Sequence, residues 1–133
     1  DINNYKNEAS KIVKLAKENL NASLLMEQSL NTINAAKLVF NQYAQKKPNC
    51  KNLINFVWNN RFKMMNSLPE DLEVNYHEGK ALPKHDDECH DIKELVVHPA
   101  TVYSLAKHSK NLENSKEQIL DEMEEVLEHL DIL

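Results

Sequence analysis

The densest run of reactive side chains in this sequence is His77, His85, Asp86, Asp87, Glu88, Cys89, His90 and Asp91. On a helix, His85 and Cys89 are four apart and face the same way, as are Asp86 and His90, so either pair offers two ligands to zinc or copper. A tetrahedral site needs further ligands, which His77 or another helix must supply. There is no CxxC or HExxH spacing, and acids mixed with histidines at a helix start also serve as a solvated face that favours the N-terminal dipole. A zinc or copper site on His77, His85, Cys89 and His90 is therefore the alternative expectation, and no cofactor is the leading one.

Cys89 has a competing use. The chain holds two cysteines, Cys50 and Cys89, each read near a helix start. A bridge between them would close a loop worth about 4 kcal/mol on the chain-entropy account, and it would consume the one soft ligand of the cluster. It would also imply an oxidising compartment. The expectation is a Cys50–Cys89 disulfide.

Covalent chemistry finds little support. Serines occur without a glycine elbow, and Cys89 and His90 lie roughly 100° apart on a helix, which spoils a hydrogen bond between base and nucleophile. His90-Asp91-Ile92-Lys93 resembles the His-x-x-Lys of histidine phosphotransfer bundles. Those follow the lysine with a small residue, however, where Glu94 stands here and opposes a phosphoryl group. No enzyme is expected.

The elements that would position these residues are helical. A single glycine and four prolines leave too little turn chemistry for hairpin-built sheets. From Pro99 onward, Val102, Leu105, Ser109, Leu112, Lys116, Ile119, Met123, Val126, Leu130 and Leu133 recur at spacings of three and four, interrupted only by Ser109 and Lys116. Ala106, Leu120 and Leu127 widen this stripe into that of a multi-helix bundle. Lys116 reads as a core-facing lysine that snorkels to solvent or marks where the bundle opens. At the other end, Tyr5, Ala9, Ile12, Ala16, Leu20 and Leu24 form one stripe, and Met26, Leu30, Ile33, Phe40 and Tyr43 form another, offset as by a heptad stutter.

The expected fold is an all-α, elongated antiparallel helical bundle, a single domain over residues 1–133. It has two long helices, about 3–46 and 99–132, and two or three shorter ones between them. At 1.5 Å per residue the long helices would span about 65 and 50 Å. Among the shorter ones, about 49–67 is apolar on most sides and reads as the most buried. Ser67-Leu68-Pro69-Glu70 fits a capping box that opens a short helix ending at Gly79. A further helix spans about 85–97, and Pro99 then sits in the first turn of the last one.

Charge bounds the partners. The net charge of −5, with Arg61 the only arginine among 16 basic residues, argues against nucleic acid. No window approaches the roughly 18 apolar residues of a membrane span. Lys6, Lys11, Lys14 and Lys17 make the start of the first helix basic. Glu117, Asp121, Glu122, Glu124, Glu125, Glu128 and Asp131 make the last one acidic, so the two suit an antiparallel pairing with acids and lysines on solvated faces. Asn21-Ala22-Ser23 fits a glycosylation acceptor inside a helical pattern. Asp1 in place of methionine suits either a mature secreted chain or an excised piece.

Together these features lead to an expected secreted, non-enzymatic bundle, monomer or weak dimer, that binds another extracellular protein as inhibitor, effector or receptor ligand. The candidate contact surface is Tyr76, His77, His85, Asp87 and His90, because loops carry function more often than packed helices do. A metal- or signal-sensing bundle built on the His85/Cys89/His90 region is the alternative.

Overall fold

Each of the two long apolar patterns folds back on itself. The computed structural model of the chain describes residues 2–131, so the seam position of Leu133 and the expected helix end at 132 lie outside the described residues. The first pattern becomes α1 (Ile2–Glu18) and α2 (Ala22–Lys46), joined by three residues. Asn21 stops the helix. It adopts an extended backbone, and its side-chain oxygen accepts from the Leu24 amide at 3.0 Å, the N-cap role asparagine fills well. The Asn21-Ala22-Ser23 triplet thus straddles the turn and the first residues of α2. The offset between the two apolar stripes marks a chain reversal, where a stutter in one helix had been expected.

The last pattern divides in the same way, into α6 (Glu94–His108) and α7 (Lys116–Leu130). Ser109 and Lys116, the two residues that interrupt the apolar seam, bracket the break. The Ser109 and Ser115 hydroxyls meet across it at 2.8 Å, and the Asn111 side chain caps the 3₁₀ turn Leu112–Ser115. Lys116 is half-buried at the first position of α7, outside the core it was expected to face. Rods of about 65 and 50 Å are therefore replaced by helices of 15 to 25 residues. The accessible surface of 7158 Å² is what a compact monomer of 15.4 kDa exposes, about 7,200 Å². The molecule is an all-α antiparallel bundle without the expected elongation.

α1, α2, α6 and α7 form a closed ring in that order, each packed antiparallel on the next. Lys6 Nζ lies 3.0 Å from Asp131 at the α1–α7 seam, in the sense the opposed charges suggested. Gln28 of α2 donates to the backbone oxygen and carboxylate of Glu8 on α1. Exposed pairs of this kind contribute under about 1 kcal/mol each. The ring is held by its interior, where Tyr5, Ile12, Leu25, Ile33, Phe40, Val97, Val102, Ile119 and Val126 belong to one buried cluster.

The segment between α2 and α6 carries α3 (Lys51–Asn59), α4 (Arg61–Asn66) and α5 (Pro69–Leu72). The single helix expected over 49–67 breaks at Asn60, whose side chain donates to the Phe56 carbonyl. Nor is it the most buried helix, since Phe62 is 52 % and Leu68 46 % exposed. That place belongs to α6, with 12 of 15 residues buried. The Ser67 capping box does not form: its hydroxyl donates back to the Lys63 carbonyl at 2.7 Å. α5 runs into a π turn, Glu73–His77, and Gly79 ends it at φ +104°, the left-handed conformation that favours glycine. The helix expected over 85–97 is instead two 3₁₀ turns, Asp87–Cys89 and Asp91–Lys93, followed by the start of α6 at Glu94.

Because α6 begins that early, Pro99 lies in its interior and not in its first turn. Proline has no amide hydrogen to give the carbonyl four residues back, Leu95, and a buried carbonyl without a partner costs about 1–3 kcal/mol. Tyr5 supplies the donor: its hydroxyl, on a side chain with 0 % exposure, reaches the Leu95 oxygen at 2.7 Å from the diagonally opposite helix. Cys50 and Cys89 are disulfide-bonded, joining the start of α3 to the turn before α6. Around the bridge Tyr43 donates to the Glu88 carbonyl at 3.2 Å and Asn49 to the Asp86 carboxylate at 2.8 Å. Among the described residues no helix is long and apolar enough to cross a membrane.

Two outcomes are expected. Tyr5→Phe should destabilise the fold by about 1–3 kcal/mol, and by much less in a Pro99→Ala background, where the helix again serves Leu95 with its own amide. Chemical denaturation of the four proteins of that cycle measures the coupling, and equal costs in both backgrounds would refute it. Alkylation of the oxidised chain without reductant should add no mass, and the peptide carrying Cys50 should be recovered linked to that carrying Cys89.

Candidate metal centre

The residues singled out from sequence are divided between two places. His85 donates from Nδ1 to the Pro83 carbonyl at 2.8 Å, because a carbonyl can only accept, and this leaves Nε2 as an acceptor. That acceptor is met by His90 Nδ1 at 3.0 Å, with the rings stacked 5.3 Å apart. The Lys93 ammonium, which can only donate, lies 3.1 Å from His90 Nε2. Every ring nitrogen of the pair is thereby used in a one-way chain, from Lys93 through His90 and His85 to Pro83, and neither ring has a lone pair to spare. Burial, and then Lys93, depress the pKa of His90, which suits its neutral role.

Cys89 is bonded to Cys50 and offers no thiolate, so the expected set His85, Cys89 and His90 does not assemble as a metal site. The backbone also departs from the helix on which that pairing relied. Asp87 is exposed, whereas Tyr76 is buried and its phenol pKa is raised by desolvation, so Tyr76 is not available to a partner's surface. His77 joins a different group.

That group lies where α6 faces α7. Glu94 and His98 are one turn apart on α6 and both buried, and Glu122, Glu125 and His129 follow at i, i+3 and i+7 on α7. His77 enters from the π turn, its ring edge-on to His98 at 5.2 Å and its Nδ1 3.3 Å from Glu73. π turns shift side-chain phase and are frequent at functional sites. Donor atoms of His77, Glu94, His98 and Glu125 all lie within 4.8 Å of one another.

The electrostatics of this place are unusual for a bundle interior. Burial alone would drive the proton from His98, but the Glu122 carboxylate at 2.6 Å and the fields of Glu94 and Glu125 outweigh it and raise the pKa. Glu122 is thus the partner of Nδ1 on the fully buried His98, while Nε2 has no hydrogen bond and faces Glu94 at 3.9 Å. His129 is raised chiefly by its contact with Glu94. Lys93, 1 % exposed, has its pKa lowered by burial against the opposing pull of Glu94, Asp91, Glu125 and Glu73. Five carboxyl groups, Glu73, Asp91, Glu94, Glu122 and Glu125, thus surround four groups able to carry positive charge, His77, Lys93, His98 and His129, an excess of acid that a divalent cation would correct.

Sequence reasoning missed Glu94, His98, Glu122, Glu125 and His129 as a site. The sequence pattern groups Glu122 and Glu125 with the solvated acids of the last helix, and both are instead half-buried. The available signal was the four-residue spacing of Glu94 and His98, which puts two ligand types on one helical face. It was obscured by starting the helix at Pro99, one residue past His98.

Comparison of the chain with protein families, with curated proteins and with solved structures finds no match. The site therefore rests on its own geometry.

His98 and His129 hold their protons more tightly folded than unfolded. Each stabilises the fold fully below the unfolded value of about 6.5, and the contribution is lost as pH rises through the folded value. His90 acts oppositely, costing stability as it is forced to charge. In chelator, the melting temperature of the wild type should exceed that of His129→Gln at pH 5.5, with the gap narrowing toward pH 8.5. Thermal melts across that range test this, and a gap that widens with pH would contradict it.

Proposed function

We propose that this chain is a non-enzymatic metal-binding bundle that holds a first-row divalent cation between α6, α7 and the π turn, with His77, Glu94, His98 and Glu125 as ligands. The observation that carries this reading is His98: a wholly buried imidazole faced by carboxylates and a second imidazole, its Nδ1 paired with Glu122 and its Nε2 left without a hydrogen bond. A mixed imidazole and carboxylate set suits zinc, ferrous iron or manganese, and copper by affinity rank. Zinc, with bonds of about 2.1 Å, would set tetrahedral donors about 3.4 Å apart. The four donors, already within 4.8 Å of one another, would close on the ion to reach that spacing. Glu122 against Nδ1 would fix the His98 ring so that Nε2 points toward Glu94, 3.9 Å away, the carboxylate–histidine arrangement that orients metal ligands.

The disulfide supports work in an oxidising, extracellular setting. A second reading, binding of an extracellular protein, is favoured by Phe62, Leu68 and Val74. These large apolar side chains are 52 %, 46 % and 42 % exposed within the segment the bridge closes. On that reading the contact surface extends over His85, Asp87 and His90.

Stripped protein given zinc should melt higher, with a gain of about 2.7 kcal/mol at a hundredfold excess over Kd. His98→Gln should abolish the gain while remaining folded by circular dichroism. A wild-type chain that retains none of zinc, manganese, ferrous iron or copper after desalting would sink the metal reading and leave the protein-binding one.

A further inference from the structure

The two helices that face each other across the site carry one spacing twice. The approach to α6 reads Asp91-x-x-Glu94-x-x-x-His98, and α7 reads Glu122-x-x-Glu125-x-x-x-His129. Acid, glutamate and histidine recur at i, i+3 and i+7; the α7 set lies along one side of its helix, as do Glu94 and His98 on α6, with Asp91 in the 3₁₀ turn that leads into it. Because α6 and α7 run antiparallel, the repeat brings the histidine of each toward the leading acid of the other. His98 meets Glu122 at 2.6 Å, and His129 groups with Asp91 and Glu94, their donor atoms within 4.8 Å of one another. The arrangement is a local two-fold relation between non-identical segments, with the two central glutamates, Glu94 and Glu125, nearest its axis.

Glu94 is shared by both halves. One of its oxygens faces His98 Nε2 at 3.9 Å, and the other is in contact with His129 Nδ1. Two ligand sets therefore meet on this one buried carboxylate: His77, Glu94, His98 and Glu125 on the inner side, and Asp91, Glu94 and His129 on the outer. Each set draws on at least two separately anchored segments.

We infer that the centre is dinuclear, with Glu94 bridging two first-row divalent ions, an inner one held by His77, His98 and Glu125 and an outer one held by Asp91 and His129. This rests on the metal-binding reading of the same site. A carboxylate with a nitrogen ligand facing each of its oxygens is placed to bind one ion through each. The two positions differ in kind. The inner one has a full set of four protein donors, among them a buried histidine whose Nε2 has no hydrogen bond. The outer one has three donors, one of them the exposed Asp91, and leaves coordination positions for water or a small anionic ligand. The ions should accordingly load in sequence, inner before outer.

The test is stoichiometry with a spectroscopic readout on the oxidised full chain. Zinc retained at saturation, measured by elemental analysis, should be two equivalents for the wild type and one for Asp91→Asn, whose exposed position leaves folding intact. With manganese in place of zinc, the electron paramagnetic resonance spectrum at two equivalents should be broadened by exchange through the shared carboxylate, and that of Asp91→Asn should be a simple mononuclear signal. One equivalent in both proteins would overturn the bridge and leave a single-ion site. Two equivalents that persist in Asp91→Asn, or two uncoupled manganese signals, would place the second ion elsewhere and also overturn it. No retained metal in the wild type would end both this inference and the reading beneath it.

Discussion

Pro99 takes one hydrogen bond out of the helix that the rest of the molecule surrounds, and Tyr5 restores it from across the bundle. The consequences reach beyond one carbonyl. A proline in the interior of an isolated helix costs about 3 kcal/mol or more, so α6 reads poorly as an autonomous helix between Glu94 and His108. It is stable where α1 passes diagonally opposite with a phenol at the right height. That requirement fixes the distance and rotation of α1 relative to α6, and so the register of α2 and α7, which fill the two remaining sides of the ring.

The same helix carries the buried ionisable groups. Glu94 and His98 enter the core on the first turns of α6, immediately after Lys93, and charged groups there cost several kcal/mol each unless opposite charges meet them. Here they are met by Glu122 and His129 from α7. A core assembled only for stability would put apolar residues at those places, because replacing a buried ion network with packed hydrocarbon is often neutral or favourable. Carboxylates and imidazoles stand in mutual reach there instead, with Lys93 held aside by His90, and it is this departure that the proposed metal reading explains.

Much of the fold was legible in the sequence. The scarcity of glycine and proline excludes hairpin sheets, the heptad stripes mark the helical faces, Gly79 marks a left-handed stop, and two cysteines permit one bridge. The breaks in the long helices were less so. Asn21 and Ser109 are tolerated in helix interiors as well as at their ends, so local propensity does not choose between turn and continued helix there. Ser109 and Lys116 nonetheless stood out as seam defects, and their positions bracket the turn. The site was hidden for a related reason. Glutamates spaced at i and i+3 beside an apolar stripe look solvated until a second helix is laid against them, so Glu122 and Glu125 could be recognised only once α7 was seen to face α6. The histidines at 85 and 90 stand out by density and by four-residue spacings, to Cys89 and from Asp86, that share a face only on an α-helix; the backbone there makes 3₁₀ turns, and their nitrogens are engaged with each other, Lys93 and Pro83.

The hairpin character of both halves bears on the order in which the molecule assembles. α1 meets α2 through a three-residue connection and α6 meets α7 through a short one, so both pairs are local in sequence and cheap in loop-closure entropy. The closure of α1 onto α6 and α7 spans most of the chain, with Tyr5 and Leu95 separated by 90 positions. Local hairpins form on the fast end of the folding timescale and distant contacts follow. Glu94, His98, Glu122, Glu125 and His129 all belong to the α6–α7 hairpin, so these side chains can converge while the first hairpin is still undocked. His77, carried on the disulfide-closed segment, is the one that must arrive from outside.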